Sequence, residues 1–159
     1  MIVIGYQGIG KSTLSKASKN FIDLESGNFW VDGVRASDWY KAYCQIAEDL
    51  SRQGYIVFTS SHKEVREWFI NNRREKVVTC FPVEELKDEW IKKLSDRYSS
   101  SKLEKDYKAL MNAKDRYIEN ITEIRNDGLK MSGIIPITDT KYDLSEMIYD
   151  EYDLCPADN

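Results

Sequence analysis

Cysteine is sparse in this chain, and the three present, Cys44, Cys80 and Cys155, are odd in number and far apart. That spacing excludes a disulfide framework and a cysteine zinc site. Cys44 and Cys80 fall inside apolar patterns and are expected as reduced core residues. No apolar run approaches the roughly 20 residues that a membrane-spanning helix needs. No secretory leader is expected either, because the first residues already read as a strand. Positive charge is in deficit, with 23 Lys and Arg against 27 Asp and Glu and a net charge of −4. That balance argues against a non-specific nucleic-acid binder, so no stable nucleic-acid partner is expected. Internal repeats and low-complexity linkers are lacking as well. With 159 residues, the chain is expected to form one domain over 1–159, cytoplasmic, as a monomer or homodimer.

What is present begins at the first residue. Ile2, Val3 and Ile4 make a short apolar strand that runs directly into Gly5-Tyr-Gln-Gly-Ile-Gly-Lys-Ser12. This matches G-x-x-x-x-G-K-[ST] in full, the pattern of a loop that wraps a polyphosphate. Gly5, Gly8 and Gly10 allow positive φ and close backbone approach. The amides of the loop, with Ile9 among its residues, and the start of the next helix point at anionic oxygens. Lys11 is placed for the β- and γ-phosphates, Ser12 for Mg²⁺, and Thr13 continues the cradle. Leu14 and Ala17 give the following helix an apolar face. ATP and Mg²⁺ are therefore the expected cofactors.

Four more strands are expected, at Phe21–Leu24, Tyr55–Thr59, Val77–Phe81 and Gly133–Ile137. Continuous apolar strands separated by helices imply a buried parallel sheet with helices on both faces, an α/β fold. Trp39, Tyr43, Ile46, Ala47 and Leu50 fall on one face of a helix between Asp38 and Gln53. Ser61 with Glu64 reads as a capping box opening a helix whose inner face is Val65, Trp68 and Phe69. Pro82 precedes a helix whose seam is Leu86, Trp90, Lys93 and Arg97. Ser99–Ser101 reads as a break, and Leu103, Tyr107, Leu110, Lys114, Tyr117, Ile121 and Ile124 line a long helix to about Arg125. The two helices, about 84–125, form a hairpin well placed to act as a lid. Asp143 opens a last helix with Leu144, Met147 and Ile148 turned inward.

Asp23 and Glu25 lie at the carboxyl end of the second strand, where open α/β sheets bind ligands. A carboxylate there positions Mg²⁺ or accepts a proton from an attacking hydroxyl; a capping or turn role is the alternative. After the third strand, where an acidic residue is common, stand Thr59, Ser60, Ser61 and His62. Ser60 and the lone histidine are candidates for substrate contact, against a plain helix-start role for His62. Lys93, Arg97 and Lys114 interrupt apolar seams. They either snorkel to water or, with Arg116, clamp a transferring phosphoryl group. Asn28, Phe29, Trp30, Arg35, Trp39 and Tyr40 crowd the segment after the second strand. Such rings with an arginine either grip a nucleotide acceptor or merely pack, over an arm of about 25–53. No Asn-Lys-x-Asp base-reading signature is present.

Together, the phosphate loop, the strand end Phe21–Ser26 and the Lys93/Arg97 helix resemble the nucleoside monophosphate kinases, a structural class that includes shikimate- and gluconate-kinase-like enzymes. Asp23–Phe29, Gln53–Phe58 and Ser60–His62 look like small adenylate-kinase-like proteins of phages and prophages of Gram-positive bacteria. The resemblance implies a three-layer phosphate-loop NTPase fold with a five-stranded parallel sheet of order 2-3-1-4-5. It further implies an acceptor arm after the second strand, with Arg35 gripping the acceptor phosphate, and an arginine-bearing lid, with Arg97 as the lid arginine. The chain lacks the Asp-Gly-Phe-Pro-Arg-like segment that adenylate kinases carry after the third strand, which leaves the acceptor open. The expected function is phosphotransfer from ATP to a small acceptor, a nucleoside or deoxynucleoside monophosphate first. A small-molecule alcohol kinase and a non-catalytic nucleotide-binding regulatory module are the alternatives.

Overall fold

The computed structural model describes residues 1–153, which leaves Cys155 outside the described residues. Strands β1 (Ile2–Gly5), β2 (Phe21–Asp23), β3 (Ile56–Thr59), β4 (Val77–Pro82) and β5 (Ile134–Ile137) form one sheet in the order β2-β3-β1-β4-β5. Every pairing is parallel, so this is the expected α/β fold with its expected strand order. Each residue of β1, β3 and β4 is buried, which is why these strands read as unbroken apolar runs rather than alternating ones. Pro136 is tolerated because β5 is an edge strand, where a missing N–H leaves no neighbour unpaired.

Helices α1 (Lys11–Ala17), α2 (Trp39–Arg52), α3 (Lys63–Asn72), α4 (Lys87–Ser101), α5 (Glu104–Leu129) and α6 (Leu144–Asp153) cover the sheet. Ile2, Ile4, Val57 and Val77 pack with Tyr43, Ala47, Val65 and Phe69 of α2 and α3. Val3, Phe58, Val78 and Ile135, of opposite parity, join a second cluster with Leu144 and Ile148 of α6. Among the described residues no helix is long and apolar enough to cross a membrane. Cys44 and Cys80 are buried free thiols, and burial pushes Cys80 up to about 12, far from a reactive thiolate.

Five local expectations are corrected. The buried side of α4 is Trp90 and Leu94, and Lys93 and Arg97, expected on that seam, are exposed because they lie one helical step to the side of it. Ile46 is 41% exposed: the buried face of α2 is rotated onto Trp39, Tyr43, Ala47, Glu48 and Ser51. Its polar members are tolerated inside because Glu48 Oε2 accepts from Arg74 N at 2.6 Å and Ser51 Oγ accepts from the N-terminal amine at 2.8 Å. The capping box is not formed. His62 is the N-cap of α3 with no side-chain cap bond, and the Ser61 carbonyl is taken by Arg66 Nε at 3.0 Å. The break in the hairpin falls at Lys102, left-handed at φ 57, rather than within Ser99–Ser101.

The long helix differs most. Leu103, Tyr107 and Lys114 are exposed, and its buried line is Asp106, Leu110, Ala113, Tyr117, Ile121 and Ile124. Two neighbouring phases satisfy the spacing, and the one that sets Asp106 against Arg97 and Ser101 prevails. The helix is interrupted at Arg116 (φ −138, ψ 22), yet it runs past Arg125 through Gly128. A Cβ at Gly128 would lie 2.2 Å from Thr79 Oγ1 and 2.7 Å from Ile134 Cγ2. Gly128 is thus there for close approach to the sheet, not to stop the helix.

Candidate functional site

At the carboxyl end of β1 the chain turns through the phosphate loop into α1. Gly8 (φ +82) and Gly10 (φ +108) hold conformations that residues with a Cβ rarely adopt. Loop carbonyls are committed to the protein: Gln7 O accepts from Trp90 Nε1 at 2.8 Å, and Ile9 O accepts from the Tyr142 hydroxyl at 2.7 Å. The amides of Gln7, Gly8 and Gly10 donate to no acceptor among the described residues. Buried Ile9 anchors the loop from beneath. Such a row of free amides is an anion cradle, and only its glycines and spacing were visible beforehand.

Cations gather above it. Lys11 Nζ donates to Gly5 O at 3.0 Å. Desolvation lowers its pKa and Arg97 adds repulsion, against the pull of Asp23 and Glu25. Lys93 Nζ lies 4.6 Å from the Trp90 ring centroid and donates to the Tyr142 hydroxyl at 3.1 Å. Its pKa is also lowered, by desolvation and then by Arg97. Arg97 Nε is tied to Asp106 Oδ1 at 3.0 Å, which leaves the rest of the guanidinium for the cavity. These three side chains, the loop, Ser12, Thr13 and Asp23 line a cavity of about 1020 Å³. Lys11 and Lys93, whose proton affinity is lowered by desolvation and by the neighbouring Arg97 charge, are cations that a polyanion would relieve.

Asp23 projects from the end of β2. Its pKa is raised, mostly by desolvation and further by the Glu25 carboxylate, while Lys11 and Lys105 oppose the rise. Tyr43 sets this end of the sheet: its hydroxyl donates to Leu24 O at 2.6 Å and accepts from Ser60 N at 2.8 Å, tying the ends of β2 and β3 together. Burial raises the Tyr43 pKa, so it stays a neutral donor.

A second cavity of about 890 Å³ opens beyond, with Trp30, Arg35, Arg66, Lys108 and Arg116 in its wall. The Arg35 guanidinium lies 3.9 Å from the Trp39 ring centroid and 4.8 Å from that of Trp30. Two rings thereby hold its planar fork in one orientation. Ser60 Oγ meets His62 Nδ1 at 2.8 Å, and the His62 pKa is lowered by desolvation and then by Arg35. Gln7, Lys11, Glu25, Ser26, Ser60, His62, Lys105 and Ala109 line both cavities.

The fold therefore brings together Gly8 to Thr13, Asp23, Glu25, Ser60, His62, Lys93, Arg97 and, in the second cavity, Arg35. It leaves out others. Lys114 is exposed and lines neither cavity, because the buried phase of α5 passes through Ala113. Arg116 lines only the second cavity and is paired with Glu119 at 3.0 Å, away from the phosphate loop. Asn28 is exposed outside both cavities. Trp39 is 7% exposed and acts as the platform beneath Arg35 rather than as a surface for a ligand. In the sequence Tyr43 and Trp90 read only as packing residues, and Tyr142 and Lys105 carry no role; no local motif marks their part in the site, since each acts across a long sequence separation. No protein-family model matches the chain, and no curated protein does.

Proposed function

We propose that this chain transfers the terminal phosphoryl group of ATP to a small acceptor held in the second cavity, a nucleoside or deoxynucleoside monophosphate first. The observation that carries this reading is the pair of cavities that meet at Lys11, the first lined by free loop amides and by cations of lowered pKa. In transfer, an acceptor oxygen bonds to the γ-phosphorus while the bond to the β–γ bridging oxygen breaks and ADP leaves. Positioning and charge neutralisation supply most of the rate in such reactions. The loop amides and Lys11 hold the donor phosphates, Lys93 and Arg97 cover them, and Arg35 orients the acceptor's anionic group. Mg²⁺ would supply charge neutralisation of the phosphates. Ser12 and Asp23 would hold it, a fit to the usual Mg²⁺ site of one or two carboxylates completed by phosphate and water.

One observation favours a second reading. Asp23, raised in pKa, lines the first cavity beside Glu25, which lines both, and the pair suits the part of a proton acceptor. A phosphate acceptor has no need of such a base, whereas a hydroxyl acceptor does. ADP formation measured against a panel of nucleoside monophosphates and hydroxylated small molecules separates the two. Turnover with monophosphates supports the first reading, and turnover confined to hydroxyl compounds moves the acceptor to an alcohol. ATP binding without acceptor-dependent ADP from any member overturns phosphotransfer.

A further inference from the structure

We propose that Lys105, in the first turn of α5, contacts the terminal phosphoryl group as it passes between the two cavities, and so is a catalytic residue. The inference rests on the phosphotransfer reading above. Lys11 and Lys105 are the two lysine or arginine side chains that line both cavities, one from the phosphate loop below and one from the hairpin. A group moving from donor to acceptor must cross the wall they share.

The ion pairs around Lys105 point the same way. Glu104 pairs with Lys108 at 3.3 Å, and Asp106 pairs with Arg97 at 3.0 Å. Lys105, between them, makes no salt bridge among the described residues. A lysine on a solvated helix face usually finds an i,i+4 partner or points to bulk water. This one is exposed and lines both cavities. The hairpin is also bent toward the site. The interruption at Arg116 brings the Asn120 side chain onto that of Asn112 at 2.6 Å, although the two lie eight positions apart. Asn112, Arg116 and Asn120 all face the second cavity, so the half of α5 that carries Lys105 leans over it. Ordinary α-helical geometry would hold residues eight apart at about 12 Å along the axis.

The test is an amine-labelling footprint of the whole chain, read by peptide mass spectrometry. A dilute acylating reagent is applied with Mg²⁺ alone, with ADP, and with a non-hydrolysable ATP analogue. Lys11 is expected to be protected by both nucleotides, and Lys105 by the triphosphate alone, with exposed Lys41 and Lys102, outside both cavities, labelled equally throughout. Protection of Lys11 with Lys105 labelled at its free rate overturns this inference and leaves nucleotide binding standing. Failure of either nucleotide to protect Lys11 overturns the phosphate-loop reading and this inference with it. Lys105→Met should then lower kcat by about a hundredfold with ATP affinity changed by less than about threefold, as for loss of a cation used in the transition state. Lys105→Arg should recover part of that loss. Parental kcat in Lys105→Met would also overturn the assignment.

Discussion

The two cavities that share Lys11 are built in opposite ways. The first has as its floor one short run of chain, Gly5 to Leu14, shaped locally by glycines at positive φ. Of the cations around it, Lys11 and Lys93 make no ion pair among the described residues, while Arg97 is held by Asp106. The second is assembled from the arm, the start of α3 and the face of α5, and most of its cations are already paired. Lys108 is with Glu104, Arg116 with Glu119, and Arg66 with Asp127 and Glu123. An unneutralised cradle takes up a polyanion whatever is attached to it. A half-neutralised wall with an oriented Arg35 would, on the proposed function, select by shape and by a single anionic group. On the proposed function, donor binding would rest mainly on a local run of this chain, and acceptor choice on its tertiary structure.

The largest effect that tests this contrast is on Lys11. Lys11→Ala should lower transfer by about a thousandfold, several kcal/mol of transition-state stabilisation. It should not lower the melting temperature of the nucleotide-free protein. The folded-state pKa of Lys11 lies below its unfolded value, so between the two the unfolded chain holds the proton more tightly. Parent stability therefore rises with pH across that interval, and the variant, lacking the group, should show a flatter profile. Parental turnover in the variant would dissolve the first cavity's role.

Arg97→Ala should lower kcat by about a hundredfold while weakening ATP binding much less, because a cation carried on the hairpin acts mainly in the transferring state. It also strips buried Asp106 of its cation, so some thermal stability should go with it. Lost stability with unchanged kcat would make Arg97 part of the hairpin's frame and nothing more.

Gly128→Ala tests how far the second cavity depends on α5 lying tight against the sheet. The added Cβ would meet Thr79 Oγ1 and the backbone oxygen of Gly133, 3.0 Å away, which cannot simply rotate aside. Overpacking of this kind costs about 1–3 kcal/mol. Thermal unfolding should register it, and acceptor KM should rise more than the ATP constant. An unchanged melting temperature would mean the helix has room to shift.

The smallest expected effect is the most specific. Arg35→Lys keeps the charge but loses the planar fork stacked between Trp30 and Trp39. Acceptor KM should rise by about fivefold to tenfold with the ATP constant unchanged. Acceptor binding should also alter the fluorescence of half-exposed Trp30. A raised ATP constant with an unchanged acceptor KM would exchange the roles of the two cavities.

By itself the sequence determined the strand-loop-helix of residues 2–17, the parallel α/β class, and the placement of Asp23 and Glu25 at a carboxyl strand end. Each rests on contiguous residues, on steric limits at glycine, or on apolar runs that have nowhere to go but a buried strand. Tertiary structure alone decided which helix faces turned inward. Ile46 and Ala47, or Lys114 and Ala113, differ by one position, about 100° around a helix, and periodicity tolerates either. The choice was made by distant partners: Arg97 for Asp106, Arg74 for Glu48, the sheet for Gly128. The same physics hid Tyr43, Tyr142 and Lys105. A hydroxyl that ties two strand ends, or a lysine left free because its neighbours are paired, has no local signature, since what defines it is the other chain segment that it meets or lacks.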